Sequence, residues 1–135
     1  MINEMHTFTL KTKAPQIMQD ITKAIASIVK KTGITQGRIS VFIPHTTAAV
    51  TINENADPDV EDDMVLGIDK AFPDRPQFNH MEGNSHAHIK TSMTGVEQTV
   101  IVDDGRLVLG TWQGIYFCEY DGPRNRKVHI HVMGT

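Results

Sequence analysis

A change of periodicity near Val96 constrains the fold of this chain most strongly. Before that point, two segments repeat apolar residues at helical spacing, within 15–33 and 57–72. After it, three β-rich runs are separated by Asp-Gly turn signals at Asp104 and Asp121. Helices gathered early in the chain and strands that close it favour an α+β fold, with flanking helices and a mixed or antiparallel sheet, over a doubly wound fold.

The first half of the chain predicts three strands and one helix. Residues 5–13 alternate and indicate an opening strand, and a helix is predicted from Pro15 to a stop at Gly33. The β-branched segments 38–45 and 48–55 predict two further strands. Because only a short polar link separates these two strands, we expect them to pair with each other.

The middle of the chain predicts two more helices. Asp57 precedes Pro58 as a cap precedes a first-turn proline, and an apolar stripe follows to Phe72. A polar loop then leads to a short helix that begins at Asn84 or Ser85 and ends at Gly95. The remainder of the chain is predicted to form a β meander.

Length and composition bound the class of protein. At 135 residues the chain suits one domain, so we assign 1–135 to a single unit. A net charge of -3 gives no support for nucleic-acid binding. No apolar run approaches the roughly 20 residues of a membrane span, and the N-terminal residues lack a signal-peptide core, so we expect a cytoplasmic protein. The single cysteine, Cys118, lies in an apolar run and is predicted to be inert packing.

Histidine is unusually frequent, with seven residues in the chain. If residues 84 onward are helical, Asn84 and His88 share a face while His86 points elsewhere. His80, in the preceding loop, and His45 would complete the open three-ligand site of a catalytic metal such as zinc. The alternative is that these are ordinary hydrogen-bonded loop histidines.

Two other histidines, His129 and His131, alternate with apolar residues in the last predicted strand. They therefore project from one face of that strand. Because such a pair is more often the wet face of a strand than a metal site, we leave both out of the predicted site.

The segment DGPRNR offers a candidate anion site. Arg124 and Arg126 are predicted to project from the same side of a strand, where two guanidinium groups would bind a phosphate or carboxylate. The alternative makes them structural partners of Glu119, of Asp121 or of a neighbouring subunit. Nearby, Trp112 lies between glycines, which permits close backbone approach to a ligand or simply makes a bulge.

The segment HTTAAVTINENAD carries further polar candidates. Asp57 is explained as a helix cap, whereas His45 and Glu54 are candidate catalytic residues near strand ends. Neither a P-loop nor a GxGxxG fingerprint occurs, which disfavours nucleotide-binding enzymes of those classes. No GxSxG elbow is present either, but a Ser-His-Asp triad stays open as an alternative.

Several motifs together resemble one family. HTTAAVTINENAD, HMEGNSHAH and LVLGTWQGIYFCEYDGPRNR occur in the order and near the spacing of the YjbQ family, catalogued as uncharacterised protein family UPF0047. The resemblance implies a compact YjbQ-like α+β fold, assembly as a homotrimer and a secondary thiamine-phosphate synthase activity.

The resemblance also implies a polar signature in this chain, which supplies the predicted site residues. Catalytic roles are assigned to Glu54, His45 and Asn84, and metal binding to His45, His80 and His88. The predicted substrate-binding residues are Arg124, Arg126, Trp112, Gln113, Thr46 and Thr47. Asn53 belongs to the same signature without an assigned role.

Two functions from different classes follow. The first is an enzyme that acts on a small phosphorylated or anionic molecule. Its divalent metal would be zinc or a similar ion held by histidines, or magnesium if the substrate is a pyrophosphate. The second is a noncatalytic homotrimer that binds a metal or a metabolite. Turnover distinguishes the two.

Overall fold

The computed structural model describes residues 1–135, which form eight strands and three helices. The strands are β1 Ile2–Lys11, β2 Ile17–Asp20, β3 Gln36–Phe42, β4 Ala48–Glu54, β5 Glu97–Asp103, β6 Arg106–Leu107, β7 Gln113–Glu119 and β8 Asn125–Gly134. The helices are α1 Thr22–Thr32, α2 Pro58–Ala71 and α3 Ser85–Thr94. This is the predicted α+β class. None of the three helices has the length and apolar character needed to cross a membrane.

Two antiparallel sheets build the protein. The larger sheet has the order β1-β8-β3-β5-β6, and the smaller sheet has the order β2-β7-β4. Every strand pairing in both sheets is antiparallel. The sequence predicted one mixed or antiparallel sheet, so the antiparallel form is confirmed but the division into two sheets was not foreseen.

The main apolar core lies between the two sheets. Val41 and Ile130 of the larger sheet, Val50 and Phe117 of the smaller sheet, and Ile25 of α1 belong to one buried cluster. A second cluster lies where the smaller sheet meets the other two helices, with Met64 of α2 and Ala87 of α3 against Cys118 of β7. The smaller sheet is therefore covered on both faces, which explains why β7 is buried almost along its whole length.

The segment after Pro15 departs from the prediction. Ile17–Asp20 is a strand paired with β7, and the helix begins only at Thr22. Asp20 ends the strand and its carboxylate accepts hydrogen bonds from the Thr22 amide and hydroxyl, which starts the helix there. The predicted stop is confirmed, since Gly33 adopts the left-handed conformation with φ of 74°.

The predicted strand pairings are also wrong. The chain crosses between the sheets after β3, so β3 pairs with β5 and β8, whereas β4 pairs with β7. The predicted meander is broken for the same reason, because β7 leaves the larger sheet. Alternating residues identify a strand, but they do not identify its partner when both faces of the partner are buried.

The remaining helix predictions are confirmed. The Asp57 carboxylate accepts the Asp59 amide at 2.9 Å, and Pro58 opens α2. The third helix runs from Ser85 to Thr94 and Gly95 follows it. Cys118 is buried, and burial raises the pKa of its thiol to about 12, so it remains protonated and unreactive at neutral pH.

Candidate functional site

Three chain segments meet at one end of the two sheets. They are the link 43–47 between β3 and β4, the start of α3 with the loop before it, and the turn between β7 and β8. They come together because Ala48, which starts β4, pairs with Glu119, which ends β7. Between them lies a cavity of about 560 Å³, here called the charged cavity. Seven predicted site residues line it: His45, Thr46, Thr47, Asn84, His88, Arg124 and Arg126.

A buried ion pair forms the floor of the charged cavity. Arg126 is only 4% exposed and Glu119 is fully buried. The guanidinium group donates from Nε to Glu119 Oε1 at 2.8 Å, and from Nη2 to Glu119 Oε2. Nη2 also donates to the hydroxyl and carbonyl of Thr47, at 3.0 and 3.2 Å. The bidentate fork of Arg126 is therefore already occupied within the protein.

Glu119 is held ionised by its surroundings. Burial raises the pKa of this carboxyl, but the hydrogen bonds from Arg126, Thr12 and the Asp121 amide outweigh that effect and lower the pKa below 4.5. Thr12 Oγ1 donates to Glu119 at 2.6 Å and accepts the Arg124 amide at 2.8 Å. Thr12, directly after β1, is thus hydrogen-bonded both to the ion pair and to the turn between β7 and β8.

Arg124 differs from Arg126 in exposure and in geometry. It lies in the turn before β8, whereas Arg126 lies in β8. The prediction that the two arginines project from the same side of one strand is therefore wrong. Its Nε donates to the Asp121 carbonyl at 2.7 Å, and Nη2 donates to the Asp121 carboxylate at 3.0 Å and reaches Glu82 at 3.5 Å. The side chain is 47% exposed and Nη1 makes no hydrogen bond to the protein. Two of its N–H groups remain free for a ligand.

The sequence did not identify Glu82 and Asp121 as site residues. Both line the charged cavity, and both accept hydrogen bonds from Asn84 Nδ2, at 2.9 and 2.7 Å. Asn84 is 7% exposed, and its Oδ1 is buried without a partner. Both acids stand inside the motifs HMEGNSHAH and LVLGTWQGIYFCEYDGPRNR, which was the available signal. The sequence indicated Asp121 only as a turn residue and an alternative partner of the arginines, and it assigned Glu82 no role.

The hydrogen bond of His45 defines which of its nitrogens is free. Nε2 accepts the Lys127 amide at 2.9 Å. Burial and the positive charge of Arg126 lower the pKa of the imidazole, so the ring is neutral at neutral pH. With Nε2 as the acceptor, the proton of the neutral ring is on Nδ1. His45 is therefore arranged as a hydrogen-bond donor.

The metal prediction rests on His80 and His88, whose rings make an edge-to-face contact with centroids 5.5 Å apart. Two imidazoles that share a tetrahedral zinc ion have centroids about 5 Å apart, given Zn–N bonds of about 2.1 Å. The centroid spacing alone is compatible with two ligands of one ion. A third ligand is not gathered within the single chain, where no group of three or more histidine, cysteine or acidic side chains is close enough to hold an ion.

Four predicted residues do not line the charged cavity: His80, in the loop before α3, and three residues that lie farther away. Glu54 and Gln113 are paired at the opposite end of β4 and β7, and Trp112 precedes them. The seven residues of β4 place this end about 20 Å from Thr47, at roughly 3.3 Å per residue. Asn53 lies there as well. These residues reach a cavity only if another copy of the chain brings them to it.

The histidines that the sequence set aside are outside the cavity. His86 approaches Asp74 at 3.7 Å. On the open face of the larger sheet, His129 bonds to Thr7 at 2.7 Å and His131 bonds to Asn3 at 2.6 Å. Their polar partners are consistent with the wet strand face that was predicted.

The fold and the cavity define a class: α+β proteins of two antiparallel sheets, with a polar cavity of small-molecule size beside a buried ion pair. The family model described as UPF0047 protein YjbQ-like matches residues 6–135. This chain belongs to that family, as its motifs indicated.

Similar proteins support this assignment along the whole chain. The UPF0047 protein YugU of Bacillus subtilis is 51% identical over 131 residues, covering 96% of this chain and 99% of that protein. A solved structure of an uncharacterised YjbQ/UPF0047 protein from Clostridium acetobutylicum is 50% identical, with a TM-score of 0.92, 95% of this chain covered and 99% of that one. A YjbQ-like protein of unknown function from Sulfolobus solfataricus is 31% identical, with a TM-score of 0.94 and 99% of each chain covered.

Proposed function

We propose that the protein is an enzyme that acts on a small phosphorylated or otherwise anionic molecule bound in the charged cavity. The observation that carries this proposal is the free Nη1 of Arg124, which lies at a cavity also lined by Thr46 and His45. A guanidinium N–H, a threonine hydroxyl and an imidazole Nδ1–H are all donors to phosphate oxygens.

The two arginines take different parts in this proposal. Arg124 contacts the ligand, because its exposed edge is free. Arg126 contributes mainly to the shape of the cavity, since its Nε and Nη2 donors are used by Glu119 and Thr47 and the side chain is only 4% exposed. The predicted two-arginine fork is thereby replaced by one arginine supported by neutral donors.

The family resemblance suggests a transferase reaction that forms thiamine phosphate. In that reaction the thiazole nitrogen forms a bond to the methylene carbon of the pyrimidine. The carbon–oxygen bond to pyrophosphate breaks, and pyrophosphate leaves with the electron pair. The reaction needs no oxidant or reductant. Arg124 and His45 would stabilise the negative charge that develops on the departing pyrophosphate.

A divalent ion remains part of the proposal, and the donor set admits two kinds. His80 and His88 suit zinc or a similar ion, with His45 as the third ligand only if it releases the Lys127 amide. Glu82 and Asp121 are carboxylates beside the cavity, and carboxylates together with pyrophosphate oxygens suit magnesium. Either ion would neutralise charge on the leaving group.

The alternative is a noncatalytic homotrimer that binds a metal or a metabolite. One observation favours it: the three carboxylates Glu82, Asp121 and Glu119 exceed the charges of the two arginines by one. A binding site of that kind attracts anions weakly without an added cation. In this alternative, Asn84 has a binding role only.

Calorimetric titration with pyrophosphate tests the proposed binding. We expect Arg124→Lys to lose about 1–3 kcal/mol of binding free energy, because lysine keeps the charge but loses the planar donor edge. Arg106→Lys is the matched control, since Arg106 is an exposed arginine in β6, away from the cavity. Unchanged affinity in Arg124→Lys, with a lowered melting temperature, would assign Arg124 a structural role instead.

Turnover separates the enzyme from the binder. Wild-type protein is mixed with the pyrimidine pyrophosphate and the thiazole phosphate, with magnesium or zinc, and released pyrophosphate is measured. We expect release that is lost in Asn84→Ala and reduced in Arg124→Lys. Pyrophosphate binding without any release under either metal would favour the noncatalytic alternative.

A further inference from the structure

A second cavity of about 380 Å³ lies on the other side of His45 and His88. These two histidines line both cavities, together with Thr46. The other residues of the second cavity include Thr91, Ser92 and Gly95. No aspartate, glutamate, lysine or arginine lines it, so it is here called the neutral cavity. A charged cavity and a neutral cavity thus share one wall.

Helix α3 joins the two cavities along one face. Asn84, His88 and Thr91 are spaced by four and then three residues, the spacing that places side chains on the same side of a helix. Asn84 lines the charged cavity, Thr91 lines the neutral cavity and His88 lines both. From Asn84 to Thr91 the helix rises about 10 Å, at roughly 1.5 Å per residue.

Both ends of this face carry a buried polar atom without a partner. Asn84 Oδ1 and Thr91 Oγ1 are two of only four such side-chain atoms in the protein. Thr91 is 4% exposed. Neighbouring hydroxyls are satisfied, since Ser92 bonds to the His88 carbonyl at 3.0 Å and Thr94 bonds to Tyr120 at 2.6 Å. Buried polar groups in folded proteins nearly always have a partner, either a protein group, a water or a ligand. Because Thr91 lines the neutral cavity, its unpaired hydroxyl stands in the wall beside a space that can hold such a partner.

We propose that one ligand spans both cavities along this face of α3. Its anionic end binds in the charged cavity, and an uncharged group with a hydrogen-bonding atom binds at Thr91 in the neutral cavity. The substrate class is therefore a phosphate or other anion attached to a neutral polar organic group. The binding of the anionic end rests on the proposed function. The binding of the neutral group at Thr91 does not depend on it.

Thr91 is then a specificity-determining residue, and three variants test it. Thr91→Val keeps the shape and removes the hydroxyl, and Thr91→Ser keeps the hydroxyl. Thr99→Val is the matched control, because Thr99 is an exposed threonine of β5 that lines neither cavity. With thiamine phosphate as the two-part probe, we expect Thr91→Val to weaken binding about tenfold, in line with the loss of one hydrogen bond. Thr91→Ser and Thr99→Val should bind as wild type, and pyrophosphate, which occupies only the charged cavity, should bind all variants equally.

A second measurement separates this inference from the proposed function. Acetamide, a neutral donor and acceptor, is titrated against wild-type protein while the backbone amide resonances are followed by NMR. We expect shifts at Thr91 and Gly95 that disappear in Thr91→Val. If acetamide leaves these resonances unchanged, or if Thr91→Val binds thiamine phosphate as tightly as wild type, the inference is overturned. If acetamide binds there but pyrophosphate does not bind at all, the proposed function fails while the neutral site stands.

Discussion

Both ends of the smaller sheet carry polar residues, but these residues are buried at one end and largely exposed at the other. At the cavity end, Glu119, Arg126 and Thr47 are buried and bonded to one another. At the far end, Gln113 is exposed and Glu54 is only partly buried. Polar groups that are removed from water must satisfy one another, whereas exposed ones are satisfied by solvent. The cavity end is therefore fixed in geometry, which suits a preorganised site.

The effect of the polar residues on stability also differs between the two ends. A buried ion pair gives little net stability, because its attraction offsets the loss of hydration, but breaking it leaves an unpaired charge in the interior. The far end carries no such pair. A half-buried polar contact there is that of the Tyr116 hydroxyl, whose single O–H faces the Glu61 carboxylate at 2.5 Å and the Glu54 carbonyl at 3.0 Å. Substitutions should therefore have large effects at one end and small effects at the other.

The largest expected effect is that of Arg126→Met. The variant leaves Glu119 buried and unpaired, so we expect the free energy of unfolding to fall by about 3–5 kcal/mol. Urea denaturation at a fixed protein concentration measures it, with Glu54→Met at the far end as the control, expected to change stability by less than about 0.5 kcal/mol. The double variant Glu119→Met with Arg126→Met should lose less unfolding free energy than Arg126→Met alone, because no unpaired charge is left in the interior. Equal losses at the two ends would contradict the comparison.

The pH dependence should be a smaller effect with the same origin. Because the folded pKa of Glu119 lies below 4.5, its ionised form stabilises the fold above that pH, and this stability is lost as the pH falls through the folded pKa. We expect the stability of Glu119→Gln to depend less on pH below about 4.5 than that of wild type. Thermal melts between neutral and acidic pH measure it.

Asp69 provides the control for this pH dependence, because its pKa is also lowered in the folded protein. The hydrogen bonds from Lys90 and Gln16 lower the pKa of Asp69, and this carboxylate is also stabilising when ionised. Asp69 is half-exposed, so Asp69→Asn should flatten the pH dependence less than Glu119→Gln does. An identical pH dependence in wild type and Glu119→Gln would show that ionisation of Glu119 does not contribute to stability.

The same comparison explains which parts of the fold could be predicted from the sequence. Patterns of neighbouring residues identify elements, and α2 and α3 were predicted with their caps at Asp57 and Gly95. Strand partners depend on contacts between distant segments. The link 43–47 looked like the turn of a hairpin, but it carries the chain from one sheet to the other. Nothing local distinguishes these two roles.

The candidate site shows the same limit. Helical spacing placed Asn84 and His88 on one face, and both line the charged cavity. Glu119 was foreseen only as an alternative partner of the arginines, because its bond to Thr12 spans 107 residues of chain. Glu54 was grouped with His45 because both lie in one motif. An extended strand separates its two ends, however, so nearness in a motif is not nearness in space.

The smallest expected effect is that of Trp112→Ala, and it tests whether the two ends remain apart in the assembled protein. Trp112 is 62% exposed, so its truncation should change the unfolding free energy of one chain by less than about 0.5 kcal/mol. We also expect pyrophosphate affinity to equal that of wild type, since Trp112 lies far from the charged cavity of its own chain. Calorimetry measures affinity. Light scattering measures assembly, with a homotrimer expected at three times 15.0 kDa.

The combination of the two measurements decides where Trp112 acts. If Trp112→Ala loses affinity while the trimer mass is retained, a neighbouring copy brings its far end to the cavity, and Glu54 and Gln113 join the site with it. Loss of the trimer with affinity retained would make Trp112 an interface residue only. A monomeric wild-type protein would exclude both roles, because no second copy would then be present to supply the far end. In that case the charged cavity of one chain must hold the ligand alone.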